Sequence, residues 1–286
     1  MEKFHTLRYE TRDRKAYITL SRPERLNAID DRMPSEIRAA VELAENDSNV
    51  HVMILSGDGN AFCAGYDLKQ FAEEGNSQWN QSGPSWDPIS DYRGMRRNTE
   101  DFFTLFRALK PSICKIHGYA VAGGSDIALS CDLVVMAEDA KIGYMPARVW
   151  GCPTTAMWVY RLGVERAKRM LLTGDKIDGK TAAAWGLVLE AVPADELDAR
   201  VEALADRIAG VPINHLAMQK LMINQALDNM GLTSTQTLAT LFDGITRHSA
   251  EGRWFKEFAE QRGFHAAVAW RDSGKPIPNG GGPLPE

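Results

Sequence analysis

The strongest constraint in this chain is a pattern that occurs twice: a short apolar strand runs into a glycine-bearing turn and then into a helix start. In Ser112–Asp132, SICKIHGYAVAGGSDIALSCD, the strand is Ile113 to Ile116 and the turn carries Gly118, Gly123 and Gly124. The helix begins around Ser125, with Asp126 in its first turn. In residues 51–71, HVMILSGDGNAFCAGYDLKQF, the strand is Val52 to Leu55 and a helix starts near Asp67. Glycine lets a backbone approach a ligand closely, and the N–H groups of a helix N-terminus face negative charge. Two such units can converge on one oxygen, which is the geometry of an oxyanion hole. Asp126 reads either as a plain end-cap favoured by the helix dipole or as an acid placed beside that oxygen.

Composition adds exclusions. A chain of 286 residues holds one large core, or one domain with an appendage. Its net charge of −5, with no basic block, argues against a nucleic-acid partner. Apolar runs such as Leu133 to Ala137 are too short to span a bilayer. The opening MEKFHTLRYE lacks the apolar core of a signal peptide, so no membrane association and a cytoplasmic location are expected. Cys63, Cys114, Cys131 and Cys152 read as small buried hydrophobes. His51 and His117 sit at strand ends and read as structural, and no cluster has metal-ligand spacing. Neither a metal nor a redox cofactor is expected.

The pair AFCAGYDLK and GYAVAGGSDIALSCD resembles the two signatures of the crotonase, or enoyl-CoA hydratase/isomerase, superfamily. RPERLNAID at 22–30 and LLTGDKIDGKTAAAWGLVLEAV at 171–192 match the same family in the same order, and the likeness covers roughly residues 5–270. The resemblance implies an α/β fold, a repeated ββα superhelix with a helical C-terminal trimerisation region. Residues 1–195 would form the core with the acyl-CoA site, 196–271 the helical region and 272–286 a flexible tail. It implies a homotrimer or a dimer of trimers. The partner is an acyl-CoA thioester, with coenzyme A as part of the substrate and no separate cofactor. The oxyanion donors would be the N–H groups of Tyr66 and Gly123, with Asp126 as the candidate acid or base. Arg25 and Leu26 would lie near the nucleotide, and Ala64, Asp67 and Leu68 around the adenine and pantetheine. Gly124, Ala147, Arg148 and Trp150 complete the implied substrate contacts. Lys69 reads either as a phosphate contact or as a solvated lysine.

The chain also departs from that family. A hydratase of the family uses two glutamates as a general acid–base pair. The first position here is Asp126, one methylene shorter. The second falls at Ala147, and no acid occurs from Tyr144 to Thr155. Dienoyl-CoA isomerases of the family carry Asp at the first position, and single-acid relatives isomerise double bonds. Three functions therefore stay open: an enoyl-CoA hydratase/isomerase-type enzyme that holds a thioester enolate, a C–C bond hydrolase or isomerase on a β-keto or dienoyl substrate, and a catalytically silent acyl-CoA binder. Tyr144, Arg148, Trp150 and Tyr160 are unusual companions for this site. Arg148 reads either as a carboxylate binder or as part of a structural ion pair.

Along the chain, residues 6–20 read as a hairpin, and a helix begins near Asp30 or Asp31 and runs to Glu45. Residues 73–98 read as a long loop. In it, Trp79, Trp86 and Tyr92 either line the acyl pocket or pack on a neighbouring subunit. Arg93, Arg96 and Arg97 read as a solvated face, with a phosphate contact as the alternative. Helices are expected over 99–109, 164–172, 179–185, 195–209, 212–230 and 233–247, and the tail from Asp272 is expected to be disordered or loosely draped.

Overall fold

The computed structural model describes residues 4–73 and 86–285. The expected hairpin is present: β1 (Leu7–Arg12) and β2 (Lys15–Leu20) pair antiparallel. Helix α1 (Met33–Asn46) buries Ile37, Val41 and Ala44 and delivers the chain to β3 (Val52–Gly57), which pairs parallel with β2. Parallel strands covered on both faces read as continuous apolar runs, and Val52 to Leu55 are all buried. Strands β4 (Ser112–Ile116), β6 (Leu133–Ala137) and β9 (Glu190–Val192) complete a six-stranded sheet of order β1-β2-β3-β4-β6-β9.

A second, smaller sheet, β5-β7-β8, is built from β5 (Tyr119–Val121), β7 (Lys141–Gly143) and β8 (Lys176–Asp178). Bridges at Cys63–Ala120 and Ile29–Tyr66 carry its edge back towards the N-terminal part of the chain. Each repeat therefore runs large-sheet strand, small-sheet strand, helix. One is β4, β5 and α3 (Gly123–Ser130); the next is β6, β7 and α4 (Met157–Leu162). This is the ββα repeat that the resemblance implied.

Two expectations need correction. The stretch 73–98 is not one loop, because α2 spans Pro88–Arg107 and so begins well before residue 99. Its start carries a local signal, an Asp87 side chain that accepts from the N–H groups of Ile89 and Ser90, with Pro88 at the first helical position. Hydrophobic periodicity misses it because the buried side includes Asp91, Asn98, Thr99 and Asp101. Trp86 stacks on His248 with ring centroids 4.6 Å apart and donates to Asp91 Oδ2 at 3.1 Å, so among described residues it packs on its own chain. Tyr92 is half-buried on α2, and Trp79 lies outside the described residues. Arg93 and Arg97 are exposed, while Arg96 pairs with Glu100 at 2.7 Å.

The C-terminal third is helical: α5 (Val164–Thr173), α6 (Gly179–Trp185), α7 (Leu197–Ala209), α8 (Ile213–Asn229) and α9 (Leu232–His248) lie close to the expected ranges. Two further helices, α10 (Ala250–Arg262) and α11 (Phe264–Asp272), occupy the end of the expected helical region 196–271 but lie beyond the individual helices expected there. Trp254, Phe255, Phe258 and Ala267 build a second apolar cluster there with Ala72 and Val149, and Ile277 and Leu284 of the tail pack on it. The Gly280 N–H donates to Glu251 Oε1 at 2.7 Å, so the tail is tied to α10 rather than disordered. Among the described residues no helix is long and apolar enough to cross a membrane.

Candidate active site

The two glycine bends meet. Residues 61–66 run beside β5, where the Cys63 N–H donates to Tyr119 O at 2.9 Å and the Val121 N–H to Cys63 O at 3.0 Å. On the other edge, the Ile29 N–H donates to Gly65 O at 2.8 Å and Ile29 O accepts the Asp67 N–H at 3.0 Å. In a parallel bridge the central residue's own N–H points away from that partner, so the Tyr66 amide is turned away from Ile29. Gly65 has φ +90°, and a Cβ there would come 2.7 Å from Ala122 Cβ and 3.3 Å from Gly123 N. A Cβ on Gly123 would meet the Tyr66 ring at 3.1 Å, and one on Gly124 would meet Cys63 O at 2.3 Å. Only glycine permits this approach from either side. Gly123 is the first residue of α3, where an N–H has no intrahelical acceptor. The residue before it, Ala122, is held at φ +53°, a strained conformation for a residue with a side chain.

Tyr66, Gly123 and Asp126 line one solvent-connected cavity. Leu68, Phe71, Met95, Met145 and Trp150 give it apolar walls. Asp126 is buried, and its Oδ1 accepts the Thr155 hydroxyl at 2.5 Å. Burial pushes its carboxyl up to about 7, against the opposing hydrogen bonds of Thr155, and the Asp243 charge adds to the rise. A carboxyl at this value can both hold and release a proton near neutrality.

Asp243 was not singled out by the sequence. It projects from α9, is buried and lines the same cavity. Its Oδ1 accepts the Cys152 N–H at 3.0 Å and its Oδ2 the Arg247 Nε–H at 3.1 Å. Arg247 also donates to Asp91 Oδ1 at 2.8 Å. Burial raises the Asp243 carboxyl and the Arg247 charge opposes the rise. The Tyr144 hydroxyl lines the cavity as well and is held protonated, first by burial and then by the Asp126 and Asp243 charges. The signal for Asp243 lies in α9 itself: Gln236, Thr240 and Asp243 form a polar stripe at helical spacing, and that stripe is the buried one.

Of the other residues singled out, Ala64, Leu68 and Trp150 line the cavity. Gly124 is buried beneath Cys63. Asp67 is buried in an ion pair with Arg22 at 3.2 Å. Leu26 is 42% exposed, and its carbonyl accepts the Ala64 N–H at 3.0 Å, while Arg25 ends a short 3-10 turn beside it. Ala147 lies half-buried in the 3-10 turn Met145–Arg148, packed against the main core and outside the cavity lining. Arg148 is neither a cavity group nor part of an ion pair among the described residues. It donates to the carbonyls of Arg271 at 2.6 Å, Lys275 at 2.8 Å and Thr173 at 3.4 Å. Tyr160 is likewise outside the cavity lining and bonds Thr235 at 2.9 Å. His51 and His117 hold main-chain carbonyls, of Val211 and Gly59.

Comparison with known proteins agrees with this architecture. The sequence profile of the family described as Enoyl-CoA hydratase/isomerase matches residues 10–267. The crystal structure of an enoyl-CoA hydratase from Mycobacterium smegmatis superposes with a TM-score of 0.89 at 48% identity, covering 95% of this chain and 94% of the other. That of an enoyl-CoA hydratase/isomerase from Xanthobacter autotrophicus gives 0.87 at 31% identity, over 96% of this chain and all of the other. The 1,2-epoxyphenylacetyl-CoA isomerase of Escherichia coli is 30% identical over 240 residues, 79% of this chain and 82% of the relative. With its crotonase fold and this extent of match, the chain belongs to the enoyl-CoA hydratase/isomerase family of enzymes.

Proposed function

We propose that the protein binds an enoyl-CoA thioester, holds its carbonyl oxygen between the N–H groups of Tyr66 and Gly123, and moves a proton at the carbon next to that carbonyl with Asp126. One observation carries this reading: a buried carboxyl near its neutral point shares a cavity with the two converging backbone segments. Two N–H donors aimed at one oxygen stabilise the enolate that forms when the α-carbon loses a proton. A silent binder would have no use for Asp126 in that place, since a buried carboxyl without a cationic partner costs folding energy. The E. coli relative is named an isomerase and the M. smegmatis structure a hydratase, and two N–H donors on a thioester oxygen would serve either class of reaction. Ala64 and Leu68, with Arg25, Leu26 and Asp67 at the neighbouring bend, form the coenzyme A side of the same proposal. So does a trimer that covers the exposed apolar residues Met222 and Ile223 of α8 and Phe242 and Ile245 of α9.

The test is proton exchange. A saturated acyl-CoA incubated with the protein in heavy water gains deuterium at its α-carbon, read by mass spectrometry. Asp126→Asn lowers the exchange rate by roughly 10²- to 10⁴-fold, the range for loss of a general base. Wild-type protein that binds the thioester and exchanges nothing overturns the reading.

A further inference from the structure

We propose that Asp243 is a second catalytic carboxylate, and that with Asp126 it adds water across the double bond of a 2-enoyl-CoA. This rests on the enolate-holding reading above. Asp243 reaches the cavity from α9, an element unrelated to the acid-free segment 144–155. It comes up against that segment at a glycine. A Cβ on Gly151 would stand 3.6 Å from Asp243 Oδ1 and 3.4 Å from the Tyr144 hydroxyl.

The carboxylate is fixed but not used up. Among the described residues each oxygen accepts one hydrogen bond, from the Cys152 N–H and from Arg247 Nε, and a carboxylate oxygen has room for two. Nor is Asp243 needed to neutralise Arg247. Asp91 already does so through Nη2 at 2.8 Å, and is itself anchored by the Trp86 Nε1–H at 3.1 Å. One guanidinium stands between two buried carboxyl groups, so Arg247 is shared and Asp243 is not its sole counter-charge.

The surroundings divide the roles. A guanidinium 3.1 Å away opposes the rise that burial imposes on Asp243, whereas Asp126 has the Thr155 hydroxyl and, among the described residues, no cation paired with it. Asp243 therefore takes the base position and Asp126 the acid position. The water oxygen bonds to C3 of the enoyl group while the C2–C3 π pair moves towards C2 and the thioester oxygen. One water proton passes to Asp243, and the Asp126 carboxyl gives its proton to C2. Asp243 is left neutral and Asp126 ionised, and one proton passed between them restores the pair, for the net addition of one water.

The experiment compares two rates in one protein: hydration of a 2-enoyl-CoA, followed by loss of the conjugated thioester absorbance, and α-proton exchange of the saturated thioester. Asp243→Asn is expected to cut hydration by roughly 10²- to 10⁴-fold and to slow exchange far less, with Asp243→Glu restoring part of the hydration. Equal losses in the two rates mean a structural role and overturn the proposal. Should the Asn protein fail to fold, Asp243→Glu decides by the same comparison, a larger loss in hydration supporting the proposal and equal losses refuting it. Wild-type protein that exchanges α-protons without hydrating overturns the Asp243 assignment and leaves the enolate reading standing. Absence of exchange removes both.

Discussion

Replacing Asp126 by Asn should become steadily more favourable to stability, relative to wild type, as the pH rises. The carboxyl goes from an ordinary value of 3.8 to about 7 on folding. It is held protonated in the fold where the unfolded chain has released the proton. The contribution of this group is therefore fully present below about pH 4 and is lost as the pH rises to about 7. A rise of about 3 units corresponds to about 4 kcal/mol lost by pH 8, and at pH 5 the loss is only about 1.5 kcal/mol. Asn does not titrate, so the variant escapes the whole of it. Its amide brings a fixed penalty, an Nδ2 donor without a ready acceptor, of about 1–3 kcal/mol. That penalty does not depend on pH, and Asp243, Arg247, Tyr144 and Cys152 are common to both proteins. The decisive quantity is the difference between the two pH values: urea unfolding of both proteins should show the variant gaining roughly 2–3 kcal/mol relative to wild type between pH 5 and pH 8. A difference that stays flat with pH, or that falls, would mean that Asp126 is ionised in the fold and would refute its role as a proton donor.

Thr155→Val removes the hydroxyl donor to Asp126. The ionised form is weakened, and the pH midpoint of α-proton exchange should rise by about 1 unit; an unmoved midpoint counts against Asp126 as the group that titrates. Gly124→Ala places a Cβ 2.3 Å from the Cys63 carbonyl oxygen, a backbone atom that cannot swing aside. A loss of about 2–3 kcal/mol in unfolding free energy is expected, and a stable variant would show that the two bends are not in contact. Arg148→Met deletes three donors that hold the carbonyls of Arg271, Lys275 and Thr173. Amide hydrogen exchange over α11 and the start of the tail should speed up while that of β3 and β4 stays slow; unchanged protection at α11 contradicts the clamp.

How much of this was legible in the sequence depended on how local each signal is. Strands β3, β4 and β6 were readable because their burial on both faces makes them unbroken apolar runs. Asp126 was readable because its strand, turn and helix start are consecutive in the chain. Helix α2 was half missed, since its inward side carries Asp91, Asn98, Thr99 and Asp101 where periodicity looks for apolar residues. Asp243 was passed over for the same reason and a second one: Asp243 and Arg247, four residues apart, look like an ordinary surface pair until tertiary packing buries both. The second apolar cluster of α10 and α11 went unread although Trp254, Phe255 and Phe258 have helical spacing and Ser249 caps the helix by accepting the Gly252 N–H at 3.1 Å.

The orientation of α9 is the feature that apolar burial alone cannot explain. It turns Gln236, Thr240 and Asp243 inward and leaves Leu238, Leu241, Phe242 and Ile245 between 37% and 50% exposed within the chain. Burying such side chains is worth about 1.5–3 kcal/mol each, so within one chain the helix would gain by rolling over. What holds it are polar contacts: Arg247 to Asp91 on α2, and the Gln236 Nε2–H to the Thr155 carbonyl at 3.0 Å. The Gln236 bond matters most for the chemistry, because the same Thr155 donates its hydroxyl to Asp126. One helix face thus presents Asp243 directly and braces Asp126 through a single intervening residue. The two carboxyls come from distant parts of the sequence, yet their relative position is fixed by one rigid element, which is what the proposed acid–base pair requires.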